Sequence, residues 1–291
     1  MTDDPRTDRI HRAVSADGTQ IAGRVVGQGP PLVLIHGGLH DGETAWEGLV
    51  PHLYDRFTCY LPSWRGHGLS ADASDFSPPR IHEDMTAFVD SIGKPVGVVG
   101  WSRGGHLALG AAADSAAVAA VALYEVDVVS LLPEALLAGL GAVVEQMAAA
   151  AAEGRLVDAA RELEAFVATD DEFAVLETDY LDGEFFERIA GNVPALLGYL
   201  QQAMAHEGPQ STDPEELNKV TVPVLLLQGQ ETLQTQLATM VADSIQHVAR
   251  HVADPHVRQP LPGLAHKAPS VAPEPIAEEL ILFFEKVLQP A

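Results

Sequence analysis

Val96-Gly97-Val98-Val99-Gly100-Trp101-Ser102-Arg103-Gly104 is the stretch on which the fold turns. Its first four residues form an apolar run that predicts a buried strand. Residues 106–113, His-Leu-Ala-Leu-Gly-Ala-Ala-Ala, predict a helix. The six residues between leave room only for a tight turn. Such a turn holds its central serine at a strained backbone angle. Strand and helix crowd the positions two before and two after it, and each is Gly. This is the G-x-S-x-G pattern of a nucleophile elbow, in the strand-to-helix setting that the pattern requires. The Ser102 hydroxyl then stands at the carboxyl edge of a sheet. It sits over a helix N-terminus whose N–H groups favour negative charge.

Working outward, residues 10–15 and 19–26 predict two strands joined by an Asp17-Gly18 hairpin turn. Residues 31–35, 57–61 and 119–124 predict further strands. Residues 43–53 and 81–92 predict helices. Strands alternating with helices imply βαβ units and an α/β fold with a mainly parallel sheet. From about residue 128 to 216 the rhythm changes to helical runs at 133–153, 156–168, 183–190 and 193–205. Gly154, Asp170-Asp171, Asp182-Gly183 and Gly208-Pro209 punctuate them. Strands then return at 222–228 and 257–261, with helices at 234–248 and 276–288. The expected organisation is a core at 1–127, a helical cap or lid at 128–216, and the rest of the core at 217–291.

Composition narrows the partners. Of 291 residues, 17 are Lys or Arg and 41 are Asp or Glu, a net charge of -24. That balance argues against nucleic acid and against anionic membrane surfaces, which need positive patches. A hydrophobic fraction of 47% supports a packed core. The lone cysteine, Cys59, rules out an intrachain disulfide and reads as a buried thiol. Residues 1–8 are polar and lack the apolar run of a secretion signal, and no uninterrupted apolar stretch is long enough to span a membrane. A cytoplasmic protein acting on a small molecule is the expectation. An apolar lid surface could also pair in a homodimer.

Acyl transfer by serine needs a nucleophile, a base, an acid that orients the base, and N–H donors for the oxyanion. Ser102 is the candidate nucleophile. His266, in Leu261-Pro262-Gly263-Leu264-Ala265-His266, is the candidate base, because it follows the last expected strand. His36-Gly37-Gly38-Leu39 offers the oxyanion loop, with the N–H groups of Gly38 and Arg103 as donors. His36, Arg65 and His67 read as loop architecture. The acid is less direct. In the loop after strand 222–228, the position three after Gly229 is Thr232, which carries no charge. The reading favours Glu125, at the end of an apolar strand where a charge needs a partner. Glu231 is second and Asp127 third. Leu39 and Trp101 border the nucleophile and are expected pocket walls. Leu132 is the first choice from the cap, whose other apolar candidates are Leu131, Met147, Phe166, Phe185, Phe186, Tyr199 and Met204. No metal-ligand spacing or phosphate loop is present, so neither a metal nor a cofactor is expected.

These motifs, with the Arg-Gly-His-Gly-x-Ser run at 65–70, resemble the α/β-hydrolase family along essentially the whole chain. Some branches place a Glu after the strand that precedes the lid. In that respect Ser102, Glu125 and His266 resemble the zearalenone lactonases. The resemblance implies a serine hydrolase acting on a carboxylic ester, in particular a lactone with a bulky apolar ring. It disfavours dehalogenases and epoxide hydrolases, whose nucleophile is Asp. Two other readings stand beside it: a carbon–carbon bond hydrolase with the same triad, and a ligand-binding protein on a hydrolase scaffold. The uncharged Thr232 supports the latter.

Overall fold

The structure is a computed structural model that describes residues 9–288. Residues 1–8, on which the expectation of no secretion signal rests, lie outside the described residues. The strands are β1 (Arg9–Val14), β2 (Gln20–Gly27), β3 (Pro31–Ile35), β4 (Thr58–Pro62), β5 (Val96–Trp101), β6 (Val118–Tyr124), β7 (Pro223–Leu227) and β8 (Asp254–Val257). They form one sheet in the order β1-β2-β4-β3-β5-β6-β7-β8. β2 runs antiparallel to β1 and β4, and every other pairing is parallel.

The helices are α1 (Pro78–Ser91), α2 (Gly104–Asp114), α3 (Glu134–Ala152), α4 (Leu156–Val167), α5 (Asp170–Thr178), α6 (Phe185–Ile189), α7 (Val193–Met204), α8 (Pro214–Leu217), α9 (Ala238–His251), α10 (Ala268–Val271) and α11 (Glu274–Val287). Alternation along β3 shows why both sheet faces are covered. Leu32 and Leu34 pack with Val99 and Phe284, whereas Val33 and Ile35 pack with Val98 and Leu109. Successive strand residues point to opposite faces, so a strand that is apolar throughout needs helices on both. α1, α2 and α9 cover one face and α11 the other. Helices α3 to α8 fill the long crossover from β6 to β7.

Four local readings are corrected. Residues 43–53 form successive turns ending in a short 3-10 segment, Val50–His52, rather than a helix. Asp41 Oδ1 accepts the N–H groups of Glu43 and Thr44, and Pro51 has no N–H to give. The last strand is β8, which starts three residues and ends four residues earlier than expected. Pro260 and Pro262 cannot donate to a ladder, and the Pro255 that β8 contains is tolerated because this strand is an edge. Asp170-Asp171 opens helix α5 instead of breaking the chain. There the Thr169 hydroxyl accepts from the Glu172 N–H, and the Glu172 carboxylate accepts from the Thr169 N–H. Finally, α3 is by length and composition apolar enough to cross a membrane. In the fold it packs on α4 and α7.

The elbow glycines are forced by contact. A Cβ on Gly104 would lie 2.3 Å from the Ile35 carbonyl oxygen and 2.5 Å from that of His36. One on Gly100 would lie 2.7 Å from the Gly104 carbonyl oxygen. Both contacts are with backbone, which cannot swing aside. Gly104→Ala should therefore destabilise the protein by about 2–4 kcal/mol, read from a urea midpoint. A midpoint equal to the wild type's would show that β3 can move away from α2.

Candidate active site

Ser102 and Glu125 follow the ends of neighbouring parallel strands, and each adopts a left-handed backbone, with φ of 53° and 47°. Such angles cost about 1–3 kcal/mol outside glycine, and the surroundings must hold them. The Ser102 N–H donates to the Tyr124 carbonyl at 2.9 Å, and its carbonyl accepts from the Gly105 N–H at 2.8 Å. The Glu125 N–H donates to the Leu227 carbonyl at 3.0 Å. Elsewhere among the described non-glycine residues, positive φ occurs only at Leu181 and Asp182, inside the helical crossover.

The Glu125 carboxylate is fully buried and receives three donors. His266 Nδ1 lies 2.8 Å from Oε2. The Gly229 N–H and the Thr232 hydroxyl donate to Oε1 at 2.8 and 2.6 Å. These bonds replace the water that burial removes. They also explain the uncharged residue at 232. Thr232 orients the carboxylate supplied by the neighbouring strand end. With Nδ1 donating to Glu125, His266 Nε2 is left as an acceptor, the state a base needs beside a serine hydroxyl. The other two acid candidates point elsewhere. Asp127 Oδ2 pairs with Arg103 Nη2 at 2.6 Å, and Glu231 accepts from Gln234 Nε2 at 3.0 Å.

The His266 loop is pinned from several sides. The Trp101 indole N–H donates to the His266 carbonyl at 2.9 Å, and the Tyr124 hydroxyl to the Ala265 carbonyl at 2.6 Å. Thus the residues just before Ser102 and Glu125 both hold the backbone at the candidate base. The loop after β7 joins in, because the Gln230 and Glu231 N–H groups donate to the Leu261 and Leu264 carbonyls.

Ser102, His266, Gly38, Arg103, Leu39, Trp101 and Leu132 line one pocket. Phe166 and Tyr199 line it too, whereas Leu131, Met147, Phe185, Phe186 and Met204 do not. Phe185 and Phe186 are core of the crossover, and Met204 is 74% exposed. Glu125 stands behind His266, away from the pocket. The sequence reading missed Leu136, Leu140, Leu163, Leu196, Leu237 and Met240, which extend an apolar wall. It also missed a buried polar group on that wall, made by His40, Glu164 and Lys267. Among the described residues, neither the Gly38 N–H nor the Arg103 N–H has a hydrogen-bond partner in the protein. Both are available to an oxyanion.

His36 braces the Gly37–Gly38 loop. Its Nε2 accepts from the Trp64 N–H at 3.1 Å, which places the proton on Nδ1, 2.8 Å from the Gly37 carbonyl. Burial and the nearby His67 push its pKa down to about 3. Burial also depresses His67 and, with the Lys267 charge, His40. Burial and the Arg103 guanidinium take His106 down to about 4. All four are neutral in the fold near pH 7. The unfolded chain takes up their protons below about pH 6.5, whereas the fold takes them up only at lower pH, so stability falls as pH drops below about 6.5. Each contributes a slope of up to about 1.4 kcal/mol per pH unit. Urea midpoints at pH 7 and pH 5 should differ sharply. Equal midpoints would mean that these rings are protonated in the native state.

Comparison with known proteins gives the family. The model of the alpha/beta hydrolase family matches residues 32–279, and the chain belongs to that family. Over 87 residues the chain is 41% identical to a pimeloyl-(acyl-carrier protein) methyl ester esterase of Methylococcus capsulatus, covering 30% of this chain and 32% of that protein. The match thus spans about a third of that curated relative's length. Among solved structures, an alpha/beta hydrolase from Sphaerobacter thermophilus superposes with a TM-score of 0.69 at 25% identity, covering 94% of this chain and all (100%) of that one. A thermophilic esterase from Thermogutta terrifontis shares the fold with a TM-score of 0.74 at 20% identity, over 97% of this chain and 100% of that one.

Proposed function

We propose that this alpha/beta hydrolase is a serine esterase for apolar carboxylic esters, lactones included, with residues 128–216 acting as its lid. Ser102 Oγ attacks the ester carbonyl while His266 Nε2 takes the hydroxyl proton. Glu125 holds the imidazole in the tautomer that can accept it and stabilises the cation that results. The N–H groups of Gly38 and Arg103 bind the oxyanion. As the tetrahedral adduct collapses, His266 passes the proton to the leaving alkoxide, and the alcohol departs from an acyl-enzyme. Water, deprotonated by His266, then attacks the acyl carbonyl and releases the acid and Ser102.

The observation that supports this reading most is the contact between His266 Nδ1 and a buried Glu125 whose other oxygen is held by Thr232 and Gly229. It also removes the support that an uncharged residue 232 lent to a non-catalytic scaffold. The apolar pocket wall favours apolar substrates, and the order Ser102, Glu125, His266 favours trying lactones early. The test is release of p-nitrophenol from esters of short and medium acyl chains, followed by ring opening of macrocyclic lactones. Multiple turnover of the linear esters supports the activity, and lactone opening supports the finer substrate class. Absence of turnover across both sets would sink the proposal.

A further inference from the structure

Besides the Arg103–Asp127 pair, a second polar cluster interrupts the apolar wall. Lys267 Nζ lies 2.6 Å from Glu164 Oε2, with side chains 4% and 1% exposed. His40 Nε2 lies 3.5 Å from the same ammonium. The three come from separate places: Glu164 from α4 in the crossover, Lys267 from the residue after His266, and His40 from the loop that carries Gly38. All three line the pocket. The cluster adjoins the reacting residues, since the Trp101 ring lies beneath Lys267 Nζ at 5.2 Å and beside His40 at 4.7 Å.

A buried ion pair is a poor device for stability alone, because a well-packed apolar pair at the same place does as well or better. The hydrogen-bonding inventory points outward. The ammonium has three N–H donors; one faces Glu164, and one makes only the long contact to His40. Glu164 Oε1 accepts no hydrogen bond among the described residues. The wall therefore offers a donor and an acceptor side by side. A carboxylate ligand would be repelled by Glu164 and a cation by Lys267. A wholly apolar ligand would cover both without satisfying either. A neutral hydroxyl fits, because it accepts from the ammonium and donates to the carboxylate.

We infer that the Glu164–Lys267 pair is a specificity subsite that receives a hydroxyl group carried on the apolar part of the substrate. The inference rests on the reading of this pocket as an ester site and names the substrate class more closely: hydroxylated apolar esters. The test compares p-nitrophenyl phenylpropanoate with its ring-hydroxylated isomers. At least one isomer should exceed the parent in kcat/KM by about tenfold or more, since a site built around a hydroxyl discriminates against the analogue that lacks it. In Glu164→Leu/Lys267→Met, and in the single variant Glu164→Gln, that ratio should fall toward one. The ratio is read within each protein, so a general loss of activity or stability does not imitate the effect. The same comparison is made by calorimetry on Ser102→Ala protein, where the best isomer should bind about tenfold more tightly than the parent ester. Equal kcat/KM and equal Kd for all isomers, or a preference that survives in the variants, overturns the subsite and leaves the pair as a fastening between α4 and the His266 loop. Selective binding without turnover would instead keep the subsite and sink the esterase reading.

Discussion

Ser102→Ala should keep its fold and lose roughly 10⁵–10⁶ of kcat on p-nitrophenyl esters, since in the proposed mechanism every covalent step starts from this hydroxyl. The elbow itself does not depend on the hydroxyl. Its shape is enforced by Gly100 and Gly104 and by backbone bonds from Ser102 to Tyr124 and Gly105. Thermal unfolding of the variant should therefore match that of the wild type. Turnover near the wild-type level in the folded variant would mean that another group attacks the ester.

Glu125→Gln carries the second large effect, about 10⁴ in kcat. The neighbours of the carboxylate say why. Oε1 already receives two donors, the Gly229 N–H and the Thr232 hydroxyl. A glutamine would turn its carbonyl oxygen toward them and its NH₂ toward His266 Nδ1. That nitrogen would then have to accept, and the ring proton would move to Nε2, the atom that must accept from Ser102. The loss follows from the wrong tautomer, with little change in size or packing. Glu231→Gln should leave turnover near wild type, because its carboxylate bonds Gln234 and not the base. The reverse ranking would move the acid to the loop after β7.

Much of this was legible in the residues because the informative signals are local. A strand, a tight turn and a helix adjoin in sequence, so the elbow and the parallel sheet around it could be read directly. The choice of Glu125 came from the cost of a charge at the end of an apolar strand, and the structure places three donors on that charge. Thr232 was read as a gap because its partner lies 107 residues away, across the join between two strands. The pairing of Glu164 with Lys267 has no local signature at all, since the crossover and the final loop meet only in three dimensions. Helix α5 was a different kind of miss. Its signal was present as Thr169-Asp170-Asp171-Glu172, a capping box, but paired aspartates suggested a break. The turns at 43–53 and the early β8 show prolines deciding where hydrophobic periodicity alone misleads.

The most direct test of the account is a mass measurement after reaction with diethyl p-nitrophenyl phosphate. The phosphoryl group should add once per chain, on the peptide that carries Ser102. Esterase activity should fall in proportion, and Ser102→Ala should take up no label. Ester turnover that persists in fully labelled protein, or a label lodged on another residue while activity is lost, would contradict the assignment of Ser102 as the nucleophile.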